Sequence, residues 1–348
     1  MRAAFLTAPQ TIEIHDVPDP DVPEGGLVLQ VRVCGICGSD LRRWKEGPPA
    51  GSGGVTPGHE AAGVVIAVDQ RCTRFKVGDR LAITPDVHCG RCYYCQHERY
   101  NLCDHLQLVG ITPGFPGGFA EQMALTPGIL INGIVHPMPE GLSFAHAAVS
   151  EPSCSVLATH EKAGTREGDT VVVIGAGPTG CLHISVAKAR KARVVVVQRS
   201  KVRQELARRF DPDLVVDAAD DVVARVREFT DGLGADIAVC ANPVAETQRQ
   251  AVEMVRKGGK VLLFGGLPKA NPMTTLDGNR IHYGEIEVIG TFSYHPRIHR
   301  RALDLLADGT LPAEKIITDR FSLDEIDRAY RTAASGNALK VLISFEKE

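Results

Sequence analysis

The chain has 348 residues, enough for about two domains at roughly 150 residues each. With 44% hydrophobic and 23% charged residues it is too apolar to be intrinsically disordered. A net charge of −3 gives no broad positive field for nucleic acid or a membrane surface. No apolar run reaches the roughly eighteen residues of a membrane span, and residues 1–7 lack a stretch of signal-peptide length. The expectation is a cytoplasmic protein of enzyme size.

The first third reads as β-rich. Residues 26–33, 62–68 and 80–83 are β-branched runs separated by Gly and Pro, as in a barrel or sandwich. Residues 46–57, crowded with Gly and Pro, read as a loop. The character changes near Ala145. From Thr170 onward, strand 171–174, helix 180–191, strand 193–197 and helix 201–209 follow in turn. Extended segments 214–216, 235–240, 260–264 and 286–290 continue the series. Short, continuously apolar strands between helices imply a parallel sheet covered on both faces. Helices at 299–307 and 323–334 and a strand at 340–345 close the chain, and no internal repeat is present.

Of ten cysteines, Cys89, Cys92, Cys95 and Cys103 fall within fifteen residues. Disulfide scaffolds are short and cysteine-dense throughout, so a local cluster in a long chain points to a metal. Four thiolates from one loop can surround a tetrahedral Zn²⁺ with no open position, which makes such a site structural. An iron–sulfur cluster is the main rival. The bacterial ferredoxin run has a shorter last spacer and a following proline; here seven residues precede Cys103 and Asp104 follows it. Unmetallated thiols are the third reading.

Cys37, His59, Glu60 and Glu151 each have an ordinary reading alone: a small buried residue, a turn histidine, an acid at a helix start. Together they offer a thiolate, an imidazole and carboxylates. That is the inventory of a catalytic zinc with one position left for water or substrate.

Gly175-Ala176-Gly177-Pro178-Thr179-Gly180 follows a strand and opens a helix, the context a dinucleotide fingerprint requires. Gly175 permits the turn, Gly177 lets the backbone approach a pyrophosphate, and Gly180 lets helix pack on strand. The second strand ends at Gln198, where an NAD site would carry a carboxylate for the ribose hydroxyls. Arg199 follows, and Arg203 stands close by. Without the carboxylate a 2′-phosphate meets no repulsion and Arg199 can bind it, which favours NADP over NAD; a solvated helix start is the other reading of these cations.

Several segments, in order, carry a family resemblance. They are Cys37-Gly38-Ser39-Asp40, Gly58-His59-Glu60, the four-cysteine loop and Gly117-Gly118-Phe119-Ala120-Glu121. Glu151-Pro152, the glycine fingerprint and Lys340-Val341-Leu342-Ile343 complete the set. Over essentially its whole length the chain resembles the zinc-containing medium-chain alcohol dehydrogenases, close to the sorbitol (polyol) and threonine dehydrogenase branch. The resemblance implies an α/β protein. A β-rich, GroES-like catalytic domain would span 1–150 and a Rossmann doubly wound parallel sheet 151–290, with a return to the catalytic domain over 291–348.

It further implies two zinc ions per chain. The catalytic one is held by Cys37 and His59 and completed by Glu60 and Glu151, directly or through water. The structural one sits in the cysteine loop. Ser39 takes the proton-relay position, and Pro178 and Thr179 belong to the cofactor loop. Where the classical enzymes carry cysteine this chain has Glu151, which points to the polyol branch. Arg43, Trp44 and Tyr294 match substrate-facing positions; Arg43 and Ser293 depart from the sorbitol enzymes there, so sorbitol itself is not implied. The implied activity is hydride transfer between NAD(P) and a secondary alcohol of a polyol, cyclitol or sugar derivative, or the matching ketone, in a homodimer or homotetramer. An L-threonine 3-dehydrogenase would use the same chemistry. A nucleotide-binding redox sensor with structural zinc alone is the non-enzyme alternative.

Overall fold

Strand Leu27–Gly35 is buried along nearly its whole length and has three antiparallel partners. They are Glu60–Val68, Gln122–Leu125 and the C-terminal strand Lys340–Ser344. Arg80–Val87 extends the sheet beyond Glu60–Val68 and takes Gly133–Pro137 as a further partner. Ile317–Ser322 runs parallel to the C-terminal strand at the opposite edge. Leu27, Leu29, Val31, Leu81, Ile83, Phe119 and Leu125 fill the interior. The β-rich, GroES-like first domain expected from the sequence is thus present, and the end of the chain completes a sheet begun by its first third.

The computed structural model describes residues 1–48 and 55–345, so the middle of the 46–57 loop lies outside the described residues. The chain divides into two units, Met1–Cys154 with Tyr294–Glu348, and Ser155–Ser293. Both cuts fall a few residues later than the sequence suggested, and the first falls inside helix Ser150–Ala163. Glu151 therefore belongs to the first unit, because its end of that helix is buried there.

The second unit is a six-stranded parallel sheet. Its order is Leu214–Asp217, Arg193–Gln198, Thr170–Ile174, Ala235–Cys240, Val255–Leu263 and Glu287–Gly290. This is the Rossmann order, with the reversal at Thr170–Ile174. The helix after that strand begins at Pro178, not at 180, since proline's fixed φ suits a first helical position. Strand Val255–Leu263 starts earlier than the apolar run suggested, because Val255 pairs with Ala235 ahead of a register shift. Helices Val222–Phe229, Ala245–Met254 and Gly278–Gly284 are short and were not placed from the sequence; the last two carry few apolar positions, whereas Val222–Phe229 is apolar enough at five of eight positions to read equally as a strand. The segment 323–334 is a short 3₁₀ turn followed by helix Ile326–Ala334. Among the described residues no helix is long and apolar enough to cross a membrane.

Two histidines inside the second unit carry a pH prediction. His183 Nδ1 lies 3.1 Å from His160 Nε2, and His160 Nδ1 lies 2.9 Å from Thr165 Oγ1. Burial, helped by Arg190, pushes His160 down to about 3, and burial with His160 beside it pushes His183 well below the usual range. Both are neutral when folded, whereas an unfolded histidine protonates near 6.5. Between about 6.5 and 3 the unfolded chain holds protons that the folded chain refuses, so stability falls as pH falls through that window. His160 alone removes about 2 kcal/mol between pH 7 and pH 5. Urea unfolding at the two pH values should show the drop, and the His160→Gln variant should show a smaller one. Equal pH dependence in both proteins would contradict this account.

Candidate metal centre

Four donors from distant segments converge in the first unit. Cys37 precedes helix Gly38–Glu46, and its backbone N–H donates to Asp40 Oδ2 at 2.9 Å. His59 and Glu60 stand at the start of strand Glu60–Val68, and Glu151 lies in the first turn of helix Ser150–Ala163. One ligand atom from each of Cys37, His59, Glu60 and Glu151 lies within 4.8 Å of all the others. His59, Glu60 and Glu151 are buried. Cys154, on the same helix as Glu151, donates its thiol to the Ser150 carbonyl at 3.0 Å and is not one of the four.

The surroundings orient each donor. His59 Nδ1 faces Asp40 Oδ1 at 3.5 Å and Nε2 faces Ser39 Oγ at 3.4 Å. An imidazole backed by a carboxylate is the usual support of a metal-binding histidine. Burial alone would depress this imidazole, yet Asp40, Cys37 and Glu151 raise it well above the ordinary range. Burial pushes Glu151 up to about 7, against His59 and the Tyr294 hydrogen bond, which act downward. Glu60 is fully buried, and Lys340 Nζ reaches its Oε1 and Oε2 at 2.6 and 2.7 Å and the Ile36 carbonyl at 3.0 Å. Strand pairing sets Gly35 opposite Glu60, and a Cβ at Gly35 would fall 2.0 Å from Glu60 Oε2. A thiol, two carboxyls and Asp40 thus share one pocket with a single ammonium. This donor set suits a divalent cation of zinc's preferences.

The positions expected to face substrate divide. Trp44 is buried, with its ring 5.9 Å from the Tyr330 ring. Arg43 donates to the Ile111 carbonyl. Tyr294 is buried and donates to Glu151 Oε1 at 2.9 Å. Asp40 and Lys340 lie within the sequence motifs, and their support of His59 and Glu60 emerges only from the fold. A lysine opening an apolar strand was the available signal for Lys340.

In the cysteine loop, Cys92 Sγ lies 3.5 Å from Cys95 Sγ and 3.9 Å from Cys103 Sγ, and Cys89 Sγ lies 4.0 Å from Cys95 Sγ. Four sulfurs around one tetrahedral ion with bonds of about 2.3 Å stand about 3.8 Å apart. The spacing fits one ion and is tight for a polynuclear iron–sulfur core. The backbone N–H groups of Cys89 and His105 donate to Cys103 Sγ at 3.2 and 3.3 Å. Backbone hydrogen bonding, led by Cys95, pulls Cys92 down to about 6, while burial pushes Cys95 up to about 12.

In the second unit, Gly175 has φ +103°, and a Cβ on Gly180 would fall 2.0 Å from the Gly175 carbonyl oxygen. Gly177 precedes helix Pro178–Ala189, and the nearest atom to its Cβ position is Arg203 Nη1 at 3.8 Å. Gln198 Oε1 accepts from the Ser200 N–H at 3.0 Å, and Arg199 is exposed.

Two family models match the chain, an alcohol dehydrogenase GroES-like domain over residues 23–140 and a zinc-binding dehydrogenase domain over residues 178–308. The sorbitol dehydrogenase of Bacillus subtilis is 31% identical, over 99% of this chain and 97% of its own. The D-arabitol-phosphate dehydrogenase of Enterococcus avium is also 31% identical, over 96% and 94%. The 2R,3R-butanediol dehydrogenase structure from Bacillus subtilis superposes with a TM-score of 0.89 at 28% identity, over 99% of both chains. A Sinorhizobium meliloti protein assigned as a zinc-binding dehydrogenase, solved with NADP bound, superposes with a TM-score of 0.89 at 30% identity, over 99% and 98%.

The Glu60–Lys340 pair sets a stability expectation. Removing one partner of a buried ion pair typically destabilises by about 3–5 kcal/mol, because the other charge is left uncompensated. Lys340→Met should lower the unfolding free energy by about that amount in urea with a zinc chelator present. A loss below about 1 kcal/mol would mean that Glu60 does not depend on Lys340.

Proposed function

We propose that this chain, which belongs to the zinc-containing medium-chain alcohol dehydrogenases, oxidises a secondary alcohol of a polyol, cyclitol or sugar derivative with a nicotinamide dinucleotide. The convergence of Cys37, His59, Glu60 and Glu151 on one buried point carries the reading. The sorbitol and D-arabitol-phosphate dehydrogenases, alike over nearly their whole length, support the substrate class. The sensor alternative loses its basis, since a full set of donors for a catalytic zinc accompanies the dinucleotide fold.

A zinc ion held by these residues would supply Lewis acidity toward a substrate oxygen, and a nicotinamide dinucleotide held by the second unit would supply the hydride acceptor. The chain's residues do the rest. Asp40 faces the His59 ring and attracts it by charge, and Lys340 holds the Glu60 carboxylate. The Ser39 hydroxyl, 3.4 Å from His59 Nε2, is the group we assign to pass the alcohol proton outward. Gly175 and Gly177 with the helix start at Pro178 and Thr179 form the pyrophosphate seat, and Gly180 keeps helix and strand in contact. Gln198, Arg199 and Arg203 favour NADP, in keeping with the NADP held by the Sinorhizobium meliloti relative. Cys89, Cys92, Cys95 and Cys103 hold the second, structural zinc. Ten unpaired thiols accord with a reducing cytoplasm. A homodimer or homotetramer completes the reading, and light scattering measures it.

Elemental analysis should find two zinc ions per chain on this reading. Cys37→Ser should retain one, in the cysteine loop, and lose activity by about a thousandfold or more, since a Lewis acid supplies several kcal/mol. Two retained ions or near-normal turnover in that variant would refute the assignment. A panel of sorbitol, xylitol, inositol-type substrates and threonine, followed by nicotinamide absorbance, should give turnover on a polyol or cyclitol and higher efficiency with NADP. Turnover on threonine alone would replace the substrate class, and equal or better use of NAD would remove the cofactor preference.

A further inference from the structure

Tyr294 opens the chain's return to the first unit and is 3% exposed. Its hydroxyl has one proton to donate, and it donates that proton to Glu151 Oε1 at 2.9 Å, across 143 positions of sequence. A hydroxyl so engaged is not presented to a substrate as a donor. Ser293, just before it, has φ +50°, a left-handed conformation uncommon outside glycine. Such backbone persists where its surroundings over-determine it. Asp86 and Cys154 are close enough to act electrostatically on the phenol, so the ring is held on several sides within a buried shell.

The Glu151 carboxylate has two oxygens and a free torsion. With Oε1 tied to Tyr294, the group keeps one orientation and leaves its second oxygen for another partner. We propose that Tyr294 is a positioning residue that acts through Glu151, fixing the carboxylate for the metal that Cys37 and His59 also bind. The inference rests on the reading of those four donors as a zinc site. It assigns Tyr294 to the metal centre and not to substrate selection. Hydrogen-bonding partners of metal ligands typically govern metal affinity or activity by about 10–100-fold.

Tyr294→Phe keeps the ring and removes one oxygen. In the zinc-loaded enzyme it should weaken zinc retention at this centre by about tenfold or more, read by transfer to a zinc-responsive chelator. The four-thiolate zinc should stay bound, and kcat should fall more than KM. In a Glu151→Ala background the same change should add nothing to zinc release. If Glu151→Ala weakens zinc but Tyr294→Phe does not, the positioning role is overturned and the zinc reading stands. If Tyr294→Phe weakens zinc equally with and without the Glu151 carboxylate, the ring acts by packing alone and the proposal is again overturned. If Glu151→Ala retains zinc as the parent does, the four-donor reading fails and the proposal with it. Circular dichroism and the melting of each variant, measured with zinc, separate these outcomes from loss of fold; for a Tyr294→Phe that does not fold, Tyr294→His, which keeps a ring donor, should retain zinc better than Tyr294→Leu.

Discussion

Glu60 is wholly buried, and both of its oxygens rest on one ammonium supplied from 280 positions away. A buried carboxylate without a partner is too costly to keep ionised, so this contact constrains the first unit as a whole. It requires the last strand to lie beside Leu27–Gly35, because only that register brings Lys340 to the end of the strand where Cys37 and His59 also converge. It requires glycine at position 35, where any side chain would occupy the space of the carboxylate. The intervening Rossmann segment must therefore leave and re-enter the chain without disturbing one sheet.

Much of this was legible in the sequence, for physical reasons that differ by residue. Cys89 to Cys103 lie in one loop, so their spacing alone encodes a metal-sized cage. Gly175 to Gly180 follow a strand whose apolar character announces it, and turn geometry there admits little but glycine. Cys37, His59, Glu60 and Glu151 form a zinc inventory by their chemistry, but three separate segments supply them, so only the family resemblance joined them into one ligand set. The surroundings of Trp44, Arg43 and Tyr294 were not legible. Which way a side chain turns depends on packing against elements far away in sequence, such as Tyr330 against Trp44. The 245–254 and 278–284 helices are short and show few apolar positions on one face, while the short apolar run of 222–229 does not distinguish helix from strand.

The two donor clusters also differ in kind. The loop cluster is sulfur alone, steadied by backbone N–H groups, and needs little beyond its own fifteen residues. The mixed cluster depends on a helix start, a strand start and a second helix brought together by the sheet. Its imidazole, carboxylates and thiol each have a supporting neighbour. A closed sulfur cage suits a permanent ion, whereas mixed donors under separate control suit an ion whose surroundings change during a reaction.

The position of the C-terminal strand has a consequence for synthesis. A ribosome makes Glu60 long before Lys340. Until strand Lys340–Ser344 emerges, the first unit has an unpaired strand edge and a carboxylate without its counter-ion. The Rossmann segment is continuous from 155 to 293 and can close as a unit while translation proceeds. The half that carries the mixed donors can mature only once Lys340 has emerged, so a chain lacking that strand would own a dinucleotide fold before it owned a reactive centre.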